Sequence, residues 1–336
     1  MSVTETNVIH IVGAGLAGTA LAWQLHFHGV RPILFDRNDP AAASRVAAGL
    51  ITPITGKRMA ISWNFATLWP AAVEFYRRVE SIVGKSIFHI RPAVRLFQSA
   101  EERNAFHERA AMLAPYLVPI EPPLGESLIQ PFGGFAMAPA AVLEVRAYLA
   151  VSREFFSVNE FEFDPSAVPP SSTVVLCQGF AGRDDPSFPW VKFNPTKGDI
   201  LTLEIPGVVE DRTVHSAGWL ARSNDGTFRA GSTYEREDLS HTPSATGRSE
   251  VEQKIRTMLG CPFSVRDHRA TVRPIVRESR PVLGIHPANP RLAYFNGLGS
   301  KGSLLAPFYA GQLADAILGQ GRIDDDVDVA KLPGAP

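Results

Sequence analysis

The sequence has little that would tie it to a disulfide scaffold, a metal centre or a membrane. Only two of its 336 residues are cysteine, Cys177 and Cys261. Two thiols cannot staple a chain of this length, and neither stands in a metal-ligand spacing. Cys177 closes the apolar run Thr173-Val174-Val175-Leu176-Cys177 and reads as a buried strand residue. His89, His107, His241, His268 and His286 are scattered without ligand spacing, so no metal is expected. No uncharged apolar run approaches the ~20 residues that cross a bilayer. The first such run, Val8-Ile9-His10-Ile11-Val12, ends at once in glycines, with no basic segment before it and no small-residue cleavage site after it. These absences lead to the expectation of a cytoplasmic chain with no membrane partner. An excess of one charge is also missing. Lys and Arg number 33 against 34 Asp and Glu, a formal net charge of −1. No global field gathers nucleic acid or an anionic surface, which counts mildly against an RNA partner.

What remains is ordinary globular material, 45% hydrophobic and 20% charged. That composition supports a sizeable core, and the length suits two domains of roughly 100–200 residues. Residues 8–36 read as a complete β-α-β start. A nearly all-apolar strand at 8–12 suits a central parallel strand covered on both faces. A glycine turn follows at 13–18. A buried helix runs over 16–28 and closes at Gly29, and a second strand over 32–36 ends on Asp36. Residues 38–62 read as a loop with the basic residues Arg45, Lys57 and Arg58 just beyond Arg37, and 64–83 as an amphipathic helix. Short strands separated by turn residues are expected at 93–98, 199–205, 214–222 and 227–232, as in an antiparallel sheet. Helices are expected at 140–151 and 303–318, and buried strands at 173–177 and 292–296. The acidic tail from Gly319 has few core residues and is expected to pack on the surface or fray.

The segment Gly13-Ala14-Gly15-Leu16-Ala17-Gly18 carries the first chemical signal. Gly13 permits the tight turn, Gly15 lets backbone approach a pyrophosphate, and Gly18 lets helix and strand pack closely. The helix start then offers N–H groups and partial positive charge to phosphates. Asp36 follows Gly18 by 18 residues, near the spacing of about 20 at which an acid receives ribose hydroxyls. This much implies a dinucleotide without choosing between FAD and NAD.

Five further segments resemble the D-amino acid oxidase/glycine oxidase (DAO) family of FAD-dependent oxidoreductases. They are Ser44-Arg45-Val46-Ala47-Ala48-Gly49-Leu50-Ile51-Thr52-Pro53; Val175-Leu176-Cys177-Gln178-Gly179; Gly231-Ser232-Thr233 with Glu235; Arg273-Pro274 with Arg280-Pro281-Val282-Leu283-Gly284; and Gly297-Leu298-Gly299-Ser300-Lys301-Gly302 with Leu305-Ala306-Pro307. They occur in family order over nearly the whole chain. Cys177-Gln178 replaces the family's usual Ala-Thr pair. Within the family, the Ser-basic-Gly loop and the Ala-Gly-Leu-Ile-x-Pro segment are most similar to the oxidase half of the bifunctional enzyme that trims a modified tRNA wobble uridine, which often has Arg at the Lys301 position. The companion methyltransferase domain is absent from this sequence.

The resemblance implies an α/β fold, α+β overall. A discontinuous Rossmann-type FAD-binding domain (1–85, 140–195 and 272–330) would carry an inserted antiparallel-sheet substrate domain (86–139 and 196–271). It implies non-covalent FAD held by Gly13, Ala14, Gly15, Leu16, Ala17, Gly18, Asp36, Arg37, Ser44, Arg45, Ala48, Gly49, Leu50, Cys177, Gln178, Gly179, Gly299, Ser300, Lys301 and Gly302. It also implies oxidation of the C–N bond of an amino acid or N-substituted glycine by hydride transfer to flavin, with dioxygen or an electron carrier as acceptor. Arg273 is the expected clamp for the substrate carboxylate, since a guanidinium offers two parallel hydrogen bonds. Arg269, Arg277 and Arg280 crowd the same stretch. Lys301 is expected beside the flavin ring, where a cation favours negative charge during reoxidation. Lys57, Trp219 and His215 are candidates for the pocket wall. Two other readings stay open: an enzyme acting on a modified tRNA, and a flavin-binding protein that kept the fold without catalysis.

Overall fold

The computed structural model describes residues 8–160, 163–277 and 280–336. Its first sheet has five strands in the order Val282–His286, Asn289–Asn296, Thr173–Leu176, Ile9–Val12, Ile33–Phe35. All neighbours run parallel except the first pair. Ile9 aligns with Thr173 and Ile11 with Val175, so residues of one parity share a face. Ile11, Val175 and Ala293 belong to the core formed with the helices Leu16–Phe27, Phe65–Val83, Val145–Phe156 and Gly302–Ile317. Val12, Leu176 and Tyr294 belong to a second cluster with Phe188, Val191, Val329 and Leu332. Both faces are therefore covered, which is why Ile9–Val12 can be apolar throughout.

The second sheet has eight strands in the order Ser264–Arg273, Thr196–Glu204, Phe228–Gly231, Trp219–Arg222, Thr213–His215, Ala93–Leu96, Gly134–Met137, Leu117–Val118. It is antiparallel apart from one parallel pair, Thr213–His215 with Ala93–Leu96. Val251, Ile255 and Met258, from the helix Ala245–Arg256 and just after it, pack with Leu201, Leu220 and Phe228 to close one face. The other face carries Ile200, Trp219 and Arg273 toward a cavity shared with the first sheet.

Several expectations are corrected. The stretch read as a helix over 140–151 begins as the strand Ala141–Leu143, paired with both Leu50–Ile51 and Phe88–Ile90. The helix runs from Val145 to Phe156. Periodicity cannot separate a short apolar strand from a buried helical turn. The single strand expected over 214–222 is two, broken at Ser216–Gly218 and paired with each other through His215 and Trp219. The ten-residue strand Ser264–Arg273 escaped notice because charged residues mask its alternation. The helix Ala100–Leu113 was also missed, although its start is legible: the Ser99 side chain accepts from the Glu102 N–H. The acidic tail does not fray. Val327 and Val329 are fully buried, and the Leu283 N–H donates to the Val327 carbonyl at 2.9 Å. Among the described residues no helix is long and apolar enough to cross a membrane.

Candidate active site

A cavity of about 710 Å³ lies between the two sheets, within the roughly 300–1,000 Å³ usual for a cofactor or ligand pocket. Its floor is the glycine turn. Gly13 has φ +103° and ends against the Cys177 carbonyl, where any Cβ would collide. A Cβ on Gly18 would run into the Gly13 carbonyl, and one on Gly15 would sit 2.9 Å from Ser44 Oγ. Gly13 and Gly18 are thus required by backbone neighbours, and a side chain at Gly15 would displace Ser44. The helix Leu16–Phe27 has no acid in its first turn and a glycine, Gly15, as N-cap, and Gly15, Leu16 and Ala17 at its start line the cavity. That leaves a positive helix end for anionic oxygens.

Asp36 lines the cavity at the end of the second strand. Its Oδ2 accepts from the Ala14 N–H at 2.8 Å, and its Oδ1 from Arg153 Nη1 at 2.9 Å and the Asn38 N–H at 2.8 Å. Arg153 stands on the helix Val145–Phe156, far away in sequence, and no motif marked it. Arg37 also lines the cavity, with its side chain exposed. The next wall is the segment Ala42–Leu50. Ser44 Oγ accepts the Leu16 N–H at 2.9 Å, and Ala48, Gly49 and Leu50 face the cavity. Cys177, Gln178 and Gly179 form a third wall; Gln178 Oε1 is buried without a hydrogen-bond partner. Gly299, Ser300 and Gly302 form a fourth.

The inserted sheet supplies the last wall through Ile200, Trp219, Ser232, Tyr234, Thr271 and Arg273. Arg273 is 8% exposed. Its Nη2 donates to Ser232 Oγ at 2.8 Å, and its Nη1 to the carbonyls of Lys197 and Thr233 at 3.3 Å. The Tyr234 ring lies 4.6 Å from Cζ. Every acceptor is neutral, and among the described residues no carboxylate forms an ion pair with it. Burial pulls its pKa below the ordinary value, while Tyr234 and Asp199 push it back. Of the four arginines crowded in this stretch, only Arg273 lines the cavity. Arg269 pairs with Asp267 and Arg280 with Asp326, and Arg277 donates to the Asp326 carbonyl.

Other expected residues stand elsewhere. Ala14 and Gly18 support the turn from behind the cavity surface. Arg45 turns toward Asn38 and Asp36. Lys57 is exposed and does not line the cavity. His215 sits one strand beyond Trp219, and its Nε2 has no partner. Burial, with the nearby Arg95, holds its pKa at about 4. Lys301 does not line the large cavity. Its Nζ lies 3.4 Å from both Thr55 Oγ1 and Ser62 Oγ, and burial lowers its pKa. It borders a smaller pocket of about 210 Å³ with Arg236 and Arg277, behind the shared loop Leu298–Ser300. Among the described residues no group of three or more His, Cys, Asp or Glu side chains could hold a metal.

The FAD dependent oxidoreductase family, DAO, matches residues 9–316. The glycine oxidase of Bacillus licheniformis is 25% identical, over 92% of each chain. The tRNA 5-methylaminomethyl-2-thiouridine biosynthesis bifunctional protein of Maricaulis maris is 26% identical over 93% of this chain, which spans about half that protein's length (52%). Among solved structures, iminodiacetate oxidase from Chelativorans sp. superposes with a TM-score of 0.77 at 19% identity, covering 94% of this chain and 96% of that one. Glycine oxidase from Bacillus cereus gives 0.77 at 17%, with the same coverage. The glycine cradle, the positive helix end and the acid at the second strand all fit FAD. The chain belongs to the DAO family of FAD-dependent oxidoreductases.

Proposed function

We propose that this enzyme oxidises the C–N bond of a small amine that carries a carboxylate, an amino acid or an N-substituted glycine. The observation that carries the reading is Arg273: a buried cation with only neutral partners, lining the same cavity as the glycine cradle. A buried charge calls for a counter-charge, and a substrate carboxylate supplies it. The relatives named glycine oxidase and iminodiacetate oxidase support the same substrate class.

When bound, FAD supplies the two-electron acceptor for the hydrogen that leaves the α carbon as hydride. The turn Gly13–Gly18, Asp36, Ser44, the segment Ala48–Leu50, Cys177–Gly179 and the loop Gly299–Gly302 hold it without a covalent link. Arg273 fixes the carboxylate and so aims the α carbon. Trp219 and Ile200 exclude water above it. The resulting imine is hydrolysed by water to a carbonyl acid and an amine. No protein base is needed when the amine enters neutral. Dioxygen or an electron carrier takes the electrons, and the partly buried Lys301 cation, behind the loop Leu298–Ser300 and without an ion-pair partner among the described residues, would favour negative charge in the cavity from across that loop. In this reading residues 1–85, 140–195 and 272–330 serve the cofactor, apart from Arg273 at the end of the strand Ser264–Arg273, and 86–139 and 196–271 the substrate.

The smaller pocket favours a second reading. Arg236, Arg277 and Lys301 border it without an ion-pair partner among the described residues. Such a basic rim suits a modified tRNA wobble uridine, and the Maricaulis relative supports this. Two measurements separate the readings. Anaerobic addition of glycine, sarcosine and D-amino acids to the yellow holoenzyme bleaches the flavin bands if the small-amine reading is right. Absence of bleaching, together with tRNA binding that weakens steeply with salt, overturns it in favour of the second.

A further inference from the structure

The short helix Ala43–Val46 holds Ser44 against the glycine turn, and the residues just after it, Ala47–Leu50, face the cavity. A four-residue helix cannot satisfy its own last carbonyls. Here two arginines do so. Arg146 Nε donates to the Arg45 carbonyl at 3.2 Å. Arg229 Nη1 donates to the Ala47 carbonyl at 2.7 Å, and its Nη2 to the Val46 carbonyl. Arg146 belongs to the helix Val145–Phe156. Arg229 comes from the opposite wall, on the strand Phe228–Gly231. That strand also carries Gly231, where a Cβ would lie 2.6 Å from the Trp219 ring.

Arg229 occupies a costly place. Its Nε is buried without a partner. Burial, then repulsion from Arg146 and Arg269, brings its pKa down to about 10 despite Glu144 and Asp267. Among the described residues no carboxylate lies within ion-pair reach, and only the two bonds to backbone carbonyls offset the cost.

We infer that Arg229 is a positioning residue: through the carbonyls of Val46 and Ala47 it holds the cofactor-facing segment Ala47–Leu50 in register with the sheet that presents Trp219 and Arg273. It acts on the reaction only through that segment, and the inference rests on the proposed cofactor role of residues 44–50. The inserted sheet thereby sets both the substrate wall and the backbone beneath the cofactor. Removal of the guanidinium frees the two carbonyls to turn and lets the two walls drift apart.

The test uses the full-length holoenzyme and its Arg229→Met and Arg229→Lys variants. FAD dissociation constants are measured first. Visible spectra and reduction potentials are then recorded at saturating FAD. Arg229→Met is expected to raise the FAD dissociation constant about tenfold or more, the effect of losing charge-assisted bonds, and to alter the flavin bands even at saturation. Arg229→Lys, which keeps one donor, is expected to fall between the two. If Arg229→Met does not fold, Arg229→Lys carries the test through the same measurements. A lower melting temperature with wild-type FAD affinity and spectrum would mean that Arg229 only stabilises the fold, and the inference fails. A Gly15→Val control separates this failure from that of the cofactor reading. If FAD binding survives Gly15→Val, the cofactor assignment itself is wrong. If Gly15→Val abolishes binding while Arg229→Met behaves as wild type, only the role given to Arg229 falls.

Discussion

The guanidinium of Arg273 occupies the space that a Cβ on Gly198 would need. The two residues lie on paired strands, Gly198 opposite Thr271 and Thr196 opposite Arg273. The arginine therefore reaches back across its neighbour to meet Ser232 and Thr233. Gly198→Ala is expected to displace the clamp without touching the cofactor walls. Steady-state kinetics with carboxylate-bearing amines are expected to show a raised KM and a nearly unchanged FAD content. An unchanged KM would mean that Arg273 does not set carboxylate affinity.

Direct removal of the clamp is the stronger test. Charge-assisted hydrogen bonds are worth about 1.5–3 kcal/mol, so Arg273→Met is expected to lower kcat/KM on the order of 10–100-fold. Arg273→Lys is expected to recover little, because a point ammonium cannot hold a planar carboxylate with two parallel bonds. An amine lacking the carboxylate is expected to react equally well with either variant. Equal losses for both kinds of amine would point to a packing role.

Arg153 offers a test of the cofactor end. It donates to Asp36 Oδ1 from the helix Val145–Phe156 and ties that helix to the second strand. Arg153→Met leaves Asp36 with its two backbone donors and the longer ion pair to Arg45 at 3.7 Å. FAD affinity, measured by fluorescence, is expected to weaken about tenfold, the value of one charge-assisted bond. Acid precipitation is expected to release FAD into solution from wild type and variant alike, since the link is non-covalent. Flavin that stays with the pellet would contradict this.

His215 makes stability depend on pH. Its pKa is about 4 in the folded protein, against about 6.5 in an unfolded chain. Above pH 6.5 neither state binds the proton and the histidine has no effect. Below it the unfolded chain takes up a proton that the folded ring refuses, so stability falls as pH drops. The loss ends near pH 4, where both states are protonated, and amounts to about 3 kcal/mol at most. His10, also lowered by burial, acts with the same sign. His215→Gln is expected to flatten the fall in melting temperature between pH 7 and pH 5. A slope identical to wild type would show that the ring is solvated.

The family, the cofactor and the cradle were legible in the sequence because they depend on local geometry. Gly18 is demanded by the Gly13 carbonyl within one turn, Gly13 by its own φ of +103° as well as by the Cys177 carbonyl, and Asp36 follows directly on the very next strand. Such requirements leave their mark at short, regular spacing. The helix Ala100–Leu113 carried an equally local mark in Ser99 and Glu102 and could have been read.

Other features were decided only when distant segments met. Four arginines between 269 and 280 look alike in the sequence. Arg273 alone lines the cavity, because its strand brings it beside Gly198, while Arg269 and Arg280 find acids. Arg153 and Arg229 meet their partners 117 and 182 residues away, and neither position differs locally from any surface arginine. By composition the tail is expected to pack on the surface or fray, yet both its valines are fully buried, Val327 in the core formed with the helices and Val329 in the cluster on the other face of the first sheet. What one turn of backbone requires is written in neighbouring residues. What a buried charge or an uncovered sheet face requires can be met from anywhere in the chain, so only the tertiary structure reveals where.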